Sequence, residues 1–209
     1  MPISRETQLG AGEMSHYFTK THDTLKSNPL EIAFRVHDEE FRMWSDDGVF
    51  SKSSLDRGTA VLLDIYRPSK DVKSALDLGC GYGPIGLVMH ELYGIQFDMV
   101  DVNDRAIALA KKNNELYKTA NKVFYSDGFE HVEKTYDLII SNPPIRIGKE
   151  SLYQLFTDAK KYLNKDGVFV IVINKKHGAL SALKHLELTY EKVETLGKRK
   201  GFFVFLCKN

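Results

Sequence analysis

Between Asp137 and Glu150 the sequence reads DLIISNPPIRIGKE, an apolar run that ends in one Asn and two consecutive prolines. The amide oxygen of Asn142 accepts hydrogen bonds without adding charge. Pro143 and Pro144 hold φ at about −65° and each restricts the residue before it, so the Pro143 carbonyl is aimed one way. Two rigid acceptors side by side suit a planar amino group on an aromatic ring. Such a nitrogen shares its lone pair with the ring and is a weak nucleophile. Acceptors on its two N–H bonds draw it towards tetrahedral geometry and stabilise the positive charge that develops as it attacks. A carboxylate in place of the amide would bring charge, and Lys or His would donate. The plainer reading is a strand stopped by prolines, with Asn as a turn residue. Asn142, Pro143 and Pro144 are the catalytic candidates.

A second group of candidates surrounds the loop in LDLGCGYGPIGLV, which follows an apolar run and opens a helix with Pro84 in its first turn. Gly79, Gly81 and Gly83 permit a sharp bend and let a ligand lie against the backbone. Asp101, at the end of the next apolar run, is placed to accept from a ribose diol. Gly81, Gly83 and Gly86 also satisfy G-x-G-x-x-G with an acid about 20 residues on, the pattern of an NAD-binding domain. S-adenosylmethionine offers the same adenosine with no pyrophosphate, and its tail ends in an ammonium group. Asp77 would attract that ammonium and repel a pyrophosphate. Both ligands fit the loop itself. In YSDGFE, Asp127 can accept from an adenine amino group and Phe129 can pack on the base, or Asp127-Gly128 is an ordinary turn. Cys80, Val102, Gly128 and Asn142 complete the candidate cofactor contacts.

These residues need a scaffold that brings them to one edge. The runs SALDLG, IQFDMVDVN, KVFYSD, YDLIISN, GVFVIVIN, YEKVETL and GFFVFLC read as strands. They are apolar nearly throughout, as a sheet covered on both faces requires. Between them lie helical stretches. Asn103 can cap DRAIALAKKNNELY, with Ile107 and Ala110 on one side. Leu152, Leu155, Phe156, Ala159 and Leu163 keep a helical period through SLYQLFTDAKKYL, and NKDGV reads as its stop. GALSALKHL is a further helix. Alternating strands and helices imply right-handed crossovers and a mostly parallel sheet. GKRKG turns the last two strands into an antiparallel hairpin. The expected architecture is α/β: a seven-stranded, mostly parallel sheet with helices on both faces. HYF, FRVHDEEFRMW and GVFSKSSLD lack this rhythm. Residues 1–55 are read as a strand-like N-terminal extension packing on a core domain of residues 56–209, which a helix through LDRGTAVLLDIY leads into.

With 209 residues, 43% of them apolar, the chain can bury a real core, and its net charge of +1 demands no polyanionic partner. The C-terminal third is nevertheless basic, with Lys175, Lys176, Lys184, Lys192, Lys198, Arg199, Lys200 and Lys208 against Glu187, Glu191 and Glu194. Cys80 and Cys207 fit a reducing cytosol. The N-terminus has no apolar signal region, and no run approaches a membrane span, so a cytoplasmic location without a membrane partner is expected. The His residues are dispersed and no metal is expected.

DLGCGYG, VDVNDRAI, SDGF and SNPPI, in that order, resemble the class I S-adenosylmethionine-dependent methyltransferases. With DDGVFSKSSLDRGTAVLL ahead of them, the chain from Trp44 onward is similar to the 16S ribosomal RNA guanine-N2 methyltransferase (RsmC-like) family. The resemblance implies a Rossmann-like class I methyltransferase fold and S-adenosylmethionine as cofactor. It also implies methyl transfer to the exocyclic N2 of a guanine, with ribosomal RNA or the small ribosomal subunit as partner. Asp77, Gly79 and Gly81 would then hold the methionine end, Asp101 the ribose and Asp127 the adenine, with Asn142, Pro143 and Pro144 as the amino-group clamp. Phe50 and Ser51 would border the target pocket. Ile145 departs from the Tyr or Phe that follows Asn-Pro-Pro in many amino-methyltransferases, so a stacking ring must come from Phe50 or another aromatic. Ile145 would give apolar contact only. Arg146, Lys149 and the run Lys198, Arg199, Lys200 are candidates for phosphate contact. A protein glutamine amide presents the same planar NH2, adenine N6 is a further target, and a non-catalytic cofactor- or RNA-binding module is the reading outside enzymes. Larger bacterial members carry a second methyltransferase-like domain, for which 209 residues leave no room.

Overall fold

In the computed structural model, which describes residues 27–46, 54–144 and 147–209, strands and helices alternate from Arg57 onward. The order is α1 (Arg57–Ile65), β3 (Ser74–Leu78), α2 (Pro84–Tyr93), β4 (Gln96–Asp101), α3 (Asp104–Tyr117), β5 (Lys122–Tyr125), β6 (Tyr136–Ser141), α4 (Lys149–Ala159), β7 (Leu163–Asn174), α5 (Ala179–Thr189), β8 (Lys192–Arg199) and β9 (Phe202–Lys208). An antiparallel pair, β1 (Leu30–Val36) and β2 (Glu39–Ser45), precedes them. HYF and GVF lie outside the described residues.

Seven strands form one sheet in the order β5-β4-β3-β6-β7-β9-β8. All neighbours are parallel except β7–β9 and β8–β9. Both faces of the sheet are covered. Ala75, Leu138, Ile140, Val170 and Val172 face α1, α2 and α3, while Leu76, Ile139, Phe169 and Ile171 face α4 and α5. This explains strands that are apolar nearly throughout. β4 and β5 continue from β3 in one direction and β6 starts the other. The switch therefore falls between β3 and β6, where ligands of open α/β sheets collect beyond the strand ends.

The β1–β2 hairpin packs on α3 and shares its core through Ile32, Phe41 and Met43. Asn113 of α3 fastens it: Oδ1 accepts from Trp44 N–H at 2.8 Å, and Nδ2 donates to the carbonyls of Trp44 and Tyr82 at 3.0 and 2.9 Å. Asn103 caps α3 as its position implies, accepting from the N–H groups of Arg105 and Ala106.

Two local expectations are corrected. The helical period through Leu163 breaks off early, because α4 ends at Ala159, a 3-10 turn follows, and Leu163 opens β7. NKDGV is an excursion inside that strand: Leu163 pairs with Tyr136 and Val168 with Leu138, with Asp166 at φ 69° between them. The final hairpin is tighter than GKRKG suggests. Arg199 pairs with Phe202, leaving Lys200 and Gly201, both at positive φ, as a two-residue turn.

Candidate active site

The loop after β3 is drawn over the end of β4, because Gly79 and Cys80 N–H both donate to the Val100 carbonyl at 2.9 Å. Gly79 and Gly81 stand at φ 75° and 58°, and a Cβ on either would meet nothing within 4 Å. The outer side of the loop is therefore room in which a ligand can lie on bare backbone. Beneath it Asp77 is fully buried. Its Oδ2 accepts from Gly86 N–H at 2.9 Å, and its Oδ1 has no partner. Burial pushes its pKa up to about 7; the Gly86 bond opposes this, and the charge on Asp101 adds to it. A carboxylate oxygen buried without a donor is costly, and an ammonium group reaching it removes the deficit. The first turn of α2 suits a pyrophosphate poorly, because Pro84 has no N–H and that of Gly86 is taken by Asp77. The residues fit S-adenosylmethionine better than NAD.

Asp101 ties this loop to α3, with Oδ2 accepting from Gly81 N–H at 2.8 Å and Oδ1 from Asn103 N–H at 2.9 Å. Burial raises its pKa against the pull of these donors and of Val102 N–H. With these three donors on its two oxygens, the carboxylate still keeps an accepting lone pair for a diol. Asp127 is buried in a turn after β5, its carbonyl accepting from Glu130 N–H, with Gly128 at φ 58°. Phe129, expected to pack on a base, is buried instead. Its ring stacks on Tyr162 at 4.5 Å within the core under α4, where an apolar ring leaves water entirely. The Cys80 thiol is buried too, and burial, with Asp101 and Asp77 nearby, pushes its pKa well up. The thiol donates to the Gly81 carbonyl of the same loop at 3.5 Å.

Ser141 locks the end of β6 to β3 by donating to the Leu78 carbonyl at 2.7 Å. Asn142 follows. Its Nδ2 donates to Asp56 Oδ2 at 2.7 Å and to Thr59 Oγ1 at 3.0 Å, which uses both amide hydrogens. A carboxylate accepts only, so the amide cannot be turned round, and Oδ1 is left as an acceptor to which nothing donates among the described residues. The Pro144 carbonyl accepts from Ile147 N–H at 3.4 Å, whereas that of Pro143 accepts from no backbone N–H among the described residues.

A cavity of about 250 Å³ opens beside these groups, with Asn142, Pro143 and Pro144 on one wall and Lys149, Tyr153, His177 and Phe202 among the others. Lys149, the first residue of α4, is thus brought to the site. Phe50, Ser51, Ile145 and Arg146 lie outside the described residues. Lys200 at the hairpin tip adjoins Lys175 and Lys176, since Lys175 N–H donates to the Gly201 carbonyl at 2.7 Å. Arg199 is drawn aside into an ion pair with Asp64, and the Lys198 ammonium lies over the Phe203 ring. Among the described residues there is no group of three or more His, Cys, Asp or Glu able to hold a metal, and no helix long and apolar enough to cross a membrane.

Three site residues escape the sequence reading. Asp56 and Thr59 carry only the signature of a helix start, Asp56 accepting from Thr59 N–H as the α1 N-cap. Phe202 is one of several aromatics in the last strand. Its place at the cavity follows from the pairing of Phe202 with Asn174 at the end of β7.

Comparison with known proteins adds an independent line. The methyltransferase small domain family matches residues 40–206. Uncharacterized protein YbxB of Bacillus subtilis (strain 168) is 37% identical over 199 residues, covering 93% of this chain and 99% of that protein. Ribosomal RNA small subunit methyltransferase C of Haemophilus influenzae (strain PittEE) is 35% identical over 176 residues, covering 82% of this chain and 52% of that protein. The chain thus spans about half the length of that relative. The solved structure of the T. thermophilus 16S rRNA N2 G1207 methyltransferase (RsmC), in complex with AdoMet and guanosine, superposes with a TM-score of 0.78 at 24% identity. The match covers 91% of this chain and 53% of that one, a likeness of fold.

Proposed function

We propose that the chain, which belongs to the methyltransferase small domain family, is an S-adenosylmethionine-dependent N-methyltransferase whose target is the exocyclic N2 of a guanine in 16S ribosomal RNA. The observation that carries this reading is the Asn142 amide, whose two hydrogens are taken by Asp56 and Thr59 so that Oδ1 remains as the acceptor, on a residue that lines a cavity together with Pro143. Bound S-adenosylmethionine supplies an electrophilic methyl on its sulfonium. Asp77 would hold the ammonium, Gly79 and Gly81 the chain that bears it, Asp101 with Val102 the ribose, and Asp127 with Gly128 the adenine. Asn142 and Pro143 accept the two N–H bonds of the target amine and stabilise the positive charge that grows on its nitrogen. The proton it sheds passes to water. Catalysis therefore rests on positioning.

Phe202 takes the stacking role that Ile145 lacks a ring to fill, and Lys149 with Lys175, Lys176 and Lys200 faces the RNA backbone. A cavity of about 250 Å³ admits a base only once it has left the helical stack. Guanine N2 and the small-subunit RNA are supported by the names of the Haemophilus relative and of the Thermus structure. In this reading residues 56–209 are the catalytic domain, residues 1–55 an extension on it, and the enzyme works in the cytoplasm.

The test is transfer of tritiated methyl from S-adenosylmethionine to 16S rRNA and small subunits lacking the modification, followed by nucleoside mass spectrometry. N2-methylguanosine is expected. N6-methyladenosine, or label in protein, overturns the choice of target.

A further inference from the structure

We infer that the N-terminus of α1 is the positioning device of the amino-group clamp: Asp56 and Thr59 set the orientation of the Asn142 amide, and Gly58 keeps the space in which its oxygen works. This rests on the proposed clamp and deepens it by assigning residues 86 and 83 positions away in the chain.

The geometry leaves each of the three a separate task. Asp56 Oδ2 accepts twice, from Thr59 N–H at 2.9 Å and from Asn142 Nδ2 at 2.7 Å, so one oxygen both caps the helix and aims the amide. Thr59 is buried, and its Oγ1 takes the second amide hydrogen at 3.0 Å. With both hydrogens spent, Asn142 can offer the target amine only its oxygen. A free Asn would present NH2 as readily as oxygen, and an NH2 group facing an amine N–H stabilises nothing. Gly58 is needed for a different reason. It sits inside α1, where Ala is the better helix former. A Cβ there would come within 3.1 Å of Asn142 Oδ1, 3.1 Å of Phe202 Cε1 and 3.0 Å of Asp56 Oδ2. Contacts this short are tighter than nearly all that real Cβ atoms make, so a methyl at this position must push on the acceptor, the ring and the carboxylate together. None of the three residues needs to touch the reacting atoms. They act through Asn142.

The experiment measures kcat with tritiated S-adenosylmethionine and unmodified 16S rRNA, cofactor Kd by calorimetry, and hydrogen exchange of the Asn142 side-chain NH2 by NMR, its signals assigned by their loss in Asn142→Ala. Asp56→Ala and Thr59→Val should each lower kcat about tenfold or more with Kd within twofold, and speed exchange of the amide hydrogens about tenfold. Asp56→Asn should recover most of kcat, because the new amide oxygen can still accept both bonds. Asp56→Ala added to Asn142→Ala should cost nothing further in kcat, since a residue acting only through Asn142 has nothing left to act on. Gly58→Ala should lower kcat about tenfold with cofactor Kd within twofold and should speed exchange of the Asn142 amide hydrogens, which a merely structural defect elsewhere in α1 would not do. Thr59→Val keeps the shape of the side chain and leaves the Asp56 cap in place, so it carries the test if Asp56→Ala does not fold. The inference is overturned if Thr59→Val and Gly58→Ala keep full kcat and unchanged amide exchange while Asn142→Ala has lost turnover. It is equally overturned if Asp56→Ala multiplies the loss in the Asn142→Ala background. Full turnover in Asn142→Ala would instead sink the clamp itself.

Discussion

Asp77 carries its carboxyl group where the fold leaves it no exposed surface. Its folded pKa of about 7 lies above the ordinary 3.8, so the folded chain binds this proton more tightly than the unfolded one. The group therefore supports stability fully below about pH 4 and loses that support as pH rises through about 7. Cofactor binding runs the other way, because an ammonium partner needs the carboxylate ionised. The groups that act on Asp77 are Gly86 N–H and Asp101, and Asp77 and Asp101 both act on Cys80, whose raised pKa keeps it a neutral thiol. S-adenosylmethionine Kd should rise as pH falls from 8 to 6. Asp77→Asn should weaken binding at pH 8 and flatten the pH dependence, as calorimetry across that range will read. A wild-type Kd independent of pH would remove Asp77 from the ammonium site. At this scale the residue types were readable in the sequence: an acid before the first glycine, an acid after the second strand, an amide between strand and prolines. Sequence spacing puts the Phe129 ring near the end of the third parallel strand but does not say which way it turns, and stacking on Tyr162 decided that.

Among the elements, α1 and β9 matter more to the site than their distance in sequence suggests. β9 is inserted antiparallel between β7 and β8, and this brings Phe202 to the cavity that Asn142 and Pro143 also line. Stacking of a base on an aromatic ring contributes about 1–3 kcal/mol. Phe202→Leu, which keeps an apolar side chain but no ring, should therefore raise KM for RNA about 5- to 150-fold with cofactor Kd unchanged, and Phe202→Tyr should stay near wild type. Steady-state kinetics with unmodified rRNA reads the difference, and an unchanged KM for Phe202→Leu excludes the ring as a platform. The order of strands and helices was legible from alternation and apolar runs. The limits of α4 and β7 were not, because Leu163 continues a helical period that the chain abandons at Ala159 to pair with Tyr136.

For the whole molecule, a net charge of +1 conceals an uneven surface. The sheet edge that carries the cavity also carries Lys149, Lys175, Lys176 and Lys200, all exposed, while the neighbouring Arg199 is neutralised by Asp64. Contacts to single-stranded RNA lower the slope of log K against log salt by about 0.7 per phosphate neutralised. Replacing Lys175, Lys176 and Lys200 by Ala should therefore make that slope shallower by about 2 and weaken RNA binding alike across sequences. Filter binding over a salt series measures it, and an unaltered slope would place the RNA backbone elsewhere.

The sequence by itself determined the alternation of strands and helices, the glycine loop, and the acids and the amide that stand at the strand ends. These are local properties, written in spacing, apolar periodicity and the stiffness of proline. Only the tertiary structure decided which way the Asn142 amide faces and which ring borders the cavity. Both depend on contacts between segments far apart in the chain, Asn142 with the start of α1 and Phe202 with the end of β7, and no local pattern records the path by which the sheet brings them together.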